Sequence, residues 1–122
     1  MDDCYNANPD SVKSAIDSLS MLRGRHICIL SDMLEQGENA PTMHTEVGQY
    51  AAAHGIDRVF TFGELGAFIA RGAGDIAVHF EDKQTLIQKL PELLQPGDAV
   101  LVKASRGMKL DEVSDMLKGL EL

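Results

Sequence analysis

No stretch of this chain stays apolar long enough to cross a bilayer, and its first residues, Met1-Asp2-Asp3, are acidic where a secretory signal is basic and apolar. Both absences lead to an expected location in the cytoplasm. Cysteine is scarce, and Cys4 and Cys28 share no CxxC or metal-ligand spacing. Neither a disulfide scaffold nor a zinc site is expected, and both read as free thiols, Cys28 within a buried strand. His26, His54 and His79 have no histidine four residues away and yield no metal motif. Basic residues are outnumbered, 11 Lys and Arg against 19 Asp and Glu, for a net charge of -8. That balance argues against nucleic acid or an anionic membrane surface as a partner, because both are held by neutralising phosphates. A site for one small anion still needs only a few donors. Finally, no Gly-x-x-x-x-Gly-Lys-Ser/Thr occurs, so the backbone cradle for β- and γ-phosphates is missing. The chain is not expected to hydrolyse ATP alone.

What is present reads as one domain over residues 1–122, with 44% hydrophobic and 25% charged residues. Val12, Ala15, Ile16, Leu19 and Leu22 recur at helical spacing and predict a helix from Pro9 to Leu22, ended by Gly24. His26 to Leu30 is a short apolar run bounded by charge, as in a strand covered on both faces. A loop from Ser31 to Glu38 follows. Pro41 then opens a helix whose expected inner face is Val47, Tyr50, Ala51 and His54, with Gly55 closing it. Arg58 to Phe62 reads as a strand, Glu64 to about Arg71 as a short helix, Gly72-Ala73-Gly74 as a turn, and Ala77 to Phe80 as a strand. Asp82 caps a helix to about Leu94, with Leu86, Leu90, Leu93 and Leu94 inward and Pro91 kinking or breaking it. A strand from Ala99 to Lys103 and a last helix from about Leu110 to Leu120 complete the chain. Alternating strands and helices predict the α/β class, as a three-layer, Rossmann-like, doubly wound and mostly parallel sheet. Gly72 and Gly74 precede a strand instead of following one, which speaks against a dinucleotide fingerprint.

Ligands of such sheets sit beyond the carboxyl ends of the strands. Three polar loops qualify: Asp2 to Asn8, Ser31 to Glu38, and Lys103 to Arg106. The first feeds a helix N-terminus, whose unpaired N–H groups Asn8 or Ser11 can cap while Asp3 faces a ligand. An Asx-rich cap without any ligand is the plain rival.

Read together, these loops resemble the C-terminal domain of the Mur ligases, and the likeness covers essentially the whole chain. It is carried by Asp2-Asp3-Cys4-Tyr5-Asn6-Ala7-Asn8-Pro9-Asp10-Ser11, Ser31-Asp32-Met33-Leu34-Glu35-Gln36-Gly37, His44-Thr45-Glu46-Val47-Gly48 and Val100-Leu101-Val102-Lys103-Ala104-Ser105-Arg106, in family order. Cys4 stands for the usual Ser, Ser31 for the usual Gly and Ala104 for a Gly. The family also has a strand running into the Asp-Asp pair, where this chain has only Met1, so the sheet is expected to lack its first strand. The N-terminal UDP-binding and central ATPase domains would be absent too.

The resemblance implies an ATP-dependent ligase of peptidoglycan synthesis, closest to those adding D-alanyl-D-alanine to UDP-N-acetylmuramoyl-tripeptide. ATP phosphorylates the tripeptide carboxylate, and the dipeptide amine attacks the acyl phosphate to form an amide. It implies that Asp3 accepts hydrogen bonds from the ATP ribose, that Tyr5 stacks near the nucleotide, and that Asn6 and Asn8 fix or contact it. Lys103 or Arg106 would pair with the dipeptide carboxylate, Ser105 would donate to it, and Asp32 or Glu35 would accept from the ammonium. His44 would support that loop or assist deprotonation. Mg²⁺ would be held mainly by the central domain. Each assignment has a bland rival: a solvated Lys103, a structural His44, and acids that only cap the loop. Two other classes compete: an inert interaction fragment, and a receiver-like phosphoacceptor. In a receiver the acceptor Asp follows the third strand, an order that Asp32 does not match.

Overall fold

The fold is described, in a computed structural model, for residues 9–33 and 37–103. Among these, helix α1 spans Pro9–Ser20, strand β1 His26–Leu30, helix α2 Ala40–Ala53 and strand β2 Arg58–Phe62. Helix α3 follows at Gly66–Ala73, strand β3 at Ala77–Phe80, helix α4 at Lys83–Leu93 and strand β4 at Ala99–Lys103. Short 3₁₀ turns occupy Gly37–Asn39 and Gly74–Ile76. The expected missing strand and the expected helix near residues 110–120 lie outside the described residues.

The four strands form one sheet in the order β3-β2-β1-β4, and every pairing is parallel. Because alternate side chains of a strand point to opposite faces, each strand feeds two cores. Cys28, Leu30, Val59 and Leu101 pack with Val12, Ile16 and Leu19 of α1, Val47 and Ala51 of α2, and Ile69 and Ala73 of α3. Ile27, Ile29, Phe60, Phe62, Val100 and Val102 pack on the other face with Leu86 and Leu90 of α4 and with Leu94. Among the described residues, three helices above and one below make three layers, as the alternating pattern predicts.

Several local expectations need correction. The inner face of α2 is Ala40, His44, Val47, Gly48 and Ala51, whereas His54 is exposed and stacks its ring on Tyr50 with centroids 3.8 Å apart. Gly72 belongs to α3 instead of a connecting turn, and only Gly74, at φ +74°, turns the chain. Pro91 does not break α4, which runs on to Leu93; in the final turn its missing N–H affects little that follows. Asp82 does cap α4, its Oδ1 accepting from Thr85 N at 2.7 Å. The thiol of Cys28 is buried as expected, and that burial pushes it up to about 12.

Candidate functional site

From β1 the chain winds outward through β2 to β3, and α4 then carries it back beneath the sheet to β4 on the other side of β1. The winding direction therefore reverses between β1 and β4. Such a reversal opens a crevice at the carboxyl ends of the two strands, the usual ligand position in this architecture. Leu30 and Lys103 are register partners there. A short connection joins the end of α1 to the start of β1, so α1 runs antiparallel to it and Pro9 stands at the carboxyl end as well.

Three consecutive residues leaving β1 are each tied to a different element. Ser31 Oγ donates to Phe62 O, at the end of β2, over 2.6 Å. Asp32 Oδ1 accepts from both Leu65 N and Gly66 N, each at 2.9 Å, and so caps the start of α3 from across the sheet. Met33 N donates to His44 Nε2 of α2 at 2.8 Å. Gly63 makes room for this arrangement: a Cβ there would come within 2.8 Å of Ser31 Oγ, and its φ of +88° is one that glycine adopts without strain. The Ser31 hydroxyl is thus a buried donor that has a partner.

Asp32 keeps 9% exposure, and its Oδ2 makes no hydrogen bond among the described residues. One oxygen holds the fold and the other is left to act as an acceptor. His44 is fully buried. Its Nδ1 lies 2.6 Å from Ala40 O, which fixes the ring proton on that nitrogen and leaves Nε2 to accept from Met33. Both ring nitrogens are thus engaged with main-chain groups, at Met33 and Ala40. Lys103, the last residue of β4, is 5% exposed and not the solvated strand end of the plain reading. By strand alternation it faces the α1–α3 side, as Leu101 does.

The structure thus brings Asp32, His44 and Lys103 to one end of β1 and β4. Asp3, Tyr5, Asn6, Asn8, Glu35, Ser105 and Arg106 lie outside the described residues. An open groove of about 360 Å³ lies between Thr45 and Gln49 of α2 and Phe68 and Arg71 of α3; it includes none of the predicted site residues. Among the described residues no group of three or more His, Cys, Asp or Glu could hold a metal ion, and no helix is long and apolar enough to cross a membrane.

The sequence family described as Mur ligase, glutamate ligase domain, matches residues 1–106. The chain is 45% identical over 120 residues to the UDP-N-acetylmuramoyl-tripeptide--D-alanyl-D-alanine ligase of Bacillus subtilis, covering 93% of this chain and 26% of that protein. The Escherichia coli ligase of the same name is 37% identical over 115 residues, covering 93% and 25%. In three dimensions the chain is similar to the MurF ligase of Thermotoga maritima solved with ADP, at a TM-score of 0.82 and 25% identity, over 97% of this chain and 27% of that one. A MurF structure from Acinetobacter baumannii gives a TM-score of 0.84 at 25% identity, over 98% and 27%. The chain spans about a quarter of the length of these relatives.

Proposed function

The chain belongs to the Mur ligase family, through the C-terminal domain of those enzymes, and from that premise we propose that it serves a ligase joining D-alanyl-D-alanine to UDP-N-acetylmuramoyl-tripeptide. The likeness to the two curated ligases supports this choice of substrates. The observation that supports the reading is the reversal of winding between β1 and β4, with Asp32 two residues beyond the end of β1 and Lys103 at the end of β4.

In this reading the rest of the ligase supplies the phosphate cradle, and a tripeptide carboxylate oxygen takes the γ-phosphoryl group of ATP, forming an acyl phosphate as the bond to the β–γ bridging oxygen breaks and ADP leaves. The activation is needed because a carboxylate oxygen leaves poorly. The dipeptide ammonium first gives one proton to solvent; the resulting amine attacks the acyl carbon, the C–N bond forms, a second proton leaves the nitrogen to solvent, and inorganic phosphate departs with the C–O bonding pair. This chain's part is to hold the two reactants. Asp3 takes the ribose hydroxyls, with Tyr5, Asn6 and Asn8 on the nucleotide. Asp32 Oδ2 and Glu35 accept from the ammonium, and Arg106, Lys103 and Ser105 bind the dipeptide carboxylate, Arg106 through its planar fork. The Mg²⁺ that accompanies ATP belongs to the rest of the enzyme, and no step here passes through it. The setting is the cytoplasm.

The test fuses this chain to the N-terminal and central domains of the B. subtilis relative and follows phosphate release. Release should require both D-alanyl-D-alanine and the UDP-linked tripeptide, and Asp3→Ala or Arg106→Ala should cut it about tenfold or more, the loss of one charge-assisted contact. The chain alone should release none. A folded fusion without dipeptide-dependent release overturns the proposal.

A further inference from the structure

The carboxylate expected to meet the incoming amine is no better placed than the backbone that carries it. Asp32 sits between Ser31, bound to the end of β2, and Met33, bound to α2. The Met33 tie depends on one acceptor, Nε2 of His44, and that atom is free to accept only because Ala40 O holds the ring proton on Nδ1. Met33 itself is 1% exposed, and the His44 ring is fully enclosed. An enclosed ring with both nitrogens engaged inside the protein has no route to a substrate proton. What it can do is fix the main chain one residue beyond Asp32.

We propose that His44 is a positioning residue for the acceptor amine, acting on it only through the Met33–Asp32 backbone. The inference rests on the function proposed above and adds a residue whose role is geometric, in an arrangement where the imidazole could be replaced by any group offering the same acceptor. Loss of that acceptor frees the backbone at Met33, lets Asp32 Oδ2 wander while Oδ1 stays on α3, and weakens dipeptide binding with little effect on ATP.

Two variants of the fusion enzyme separate this role from proton transfer. His44→Leu keeps an apolar side chain of similar bulk and removes the acceptor. It should raise KM for D-alanyl-D-alanine about tenfold, the equivalent of one lost buried hydrogen bond, and leave KM for ATP within about twofold. His44→Gln offers an amide oxygen near the position of Nε2 and cannot take a proton at neutral pH. It should restore kcat/KM for the dipeptide to within about threefold of wild type, with the same pH profile. A Gln variant as inactive as the Leu variant, or one that loses a limb of the pH profile, overturns the proposal in favour of proton transfer. Unchanged KM values in both variants overturn it as well. Should His44→Leu fail to fold, the Gln variant decides alone. On the chain itself, amide exchange reports the latch directly. The Met33 N–H should be protected in wild type and in His44→Gln, and exchange there as fast as in an unstructured loop would overturn the proposal whatever the enzyme assay shows. Absence of dipeptide-dependent turnover in the wild-type fusion, by contrast, counts against the proposed function, and the Met33 exchange still judges the latch.

Discussion

Arg25 grips Asp98 with two hydrogen bonds, Nε to Oδ1 at 3.1 Å and Nη2 to Oδ2 at 2.8 Å, across the starts of β1 and β4. The same guanidinium donates to Leu93 O at 2.8 Å, and Ala99 N donates to Arg25 O, so one residue ties the end of α4 and the start of β4 to β1. The Asp98 side chain is only 3% exposed. Its burial works against the charged form, but the Arg25 bonds and the Gln95 N–H outweigh that and hold the carboxyl below its ordinary value of 3.8. Arg25→Ala should cost about 1–3 kcal/mol in urea unfolding near neutral pH, since it leaves a nearly buried carboxylate with one remaining donor. Arg25→Lys should recover only part of this, having no fork. A lowered folded value means that the contribution is complete above the unfolded value and is lost as pH falls through the folded one. The gap between wild type and Arg25→Ala should therefore narrow below about pH 3.8. A gap that widens in acid would refute this account.

Gly48 of α2 and Gly72 of α3 face each other's backbones at the crossing of the two helices. A Cβ at Gly48 would overlap Ile69 O and come within 2.7 Å of Ala73 N, and one at Gly72 would overlap Thr45 O and come within 3.1 Å of Gln49 N. Neither obstacle is a flexible side chain, so the helices themselves must part. Gly72→Ala and Gly48→Ala should each lower stability by about 3 kcal/mol despite the better helix propensity of alanine. The double variant should cost clearly less than the sum, because the first Cβ already separates the pair. Thermal or urea melting checks both, and a neutral Gly72→Ala would show that the helices do not pack this closely.

How far these features can be read from the sequence depends on what each residue contacts. Strands β1 and β4 are legible, because Ile27-Cys28-Ile29-Leu30 and Ala99-Val100-Leu101-Val102 are apolar runs set between turn residues, which a strand buried on both faces requires. The inner face of α2 is not, because two of its buried positions are His44 and Gly48, and apolar periodicity cannot count a histidine satisfied by backbone or a glycine that admits a second helix. Gly72 misleads for the same reason, resembling a turn until α2 lies against it. Asp32 stands out as an acid just after a strand, but its bond to the start of α3 joins residues 33 positions apart, beyond any local pattern. His44 attracts a chemical reading because sequence displays a titratable ring and hides its partners, which here are a main-chain carbonyl and a main-chain N–H.

His26 presents the opposite case, a histidine whose two nitrogens both meet carbonyl oxygens. Nε2 lies 2.7 Å from Leu22 O and Nδ1 3.2 Å from Gly55 O, so a neutral ring can donate to one and only the doubly protonated ring to both. Asp57 accepts from the His26 main-chain N–H at 2.7 Å and adds negative charge beside the ring. The bond to Leu22 is the largest influence, opposed by partial burial and assisted by Gly55 and Asp57, and together they raise the ring above its ordinary value of 6.5. A raised folded value contributes stability that is complete below the unfolded value and disappears as pH climbs through the folded one. His26→Ala should therefore fall furthest short of wild type near pH 6 and approach it near about pH 9. The His26 Cε1–H resonance should titrate with a midpoint above 6.5. A midpoint at or below that value, or a stability gap that stays constant between the two pH values, would mean that the neutral ring already makes every contact that matters at the junction of α1, β1 and the turn before β2.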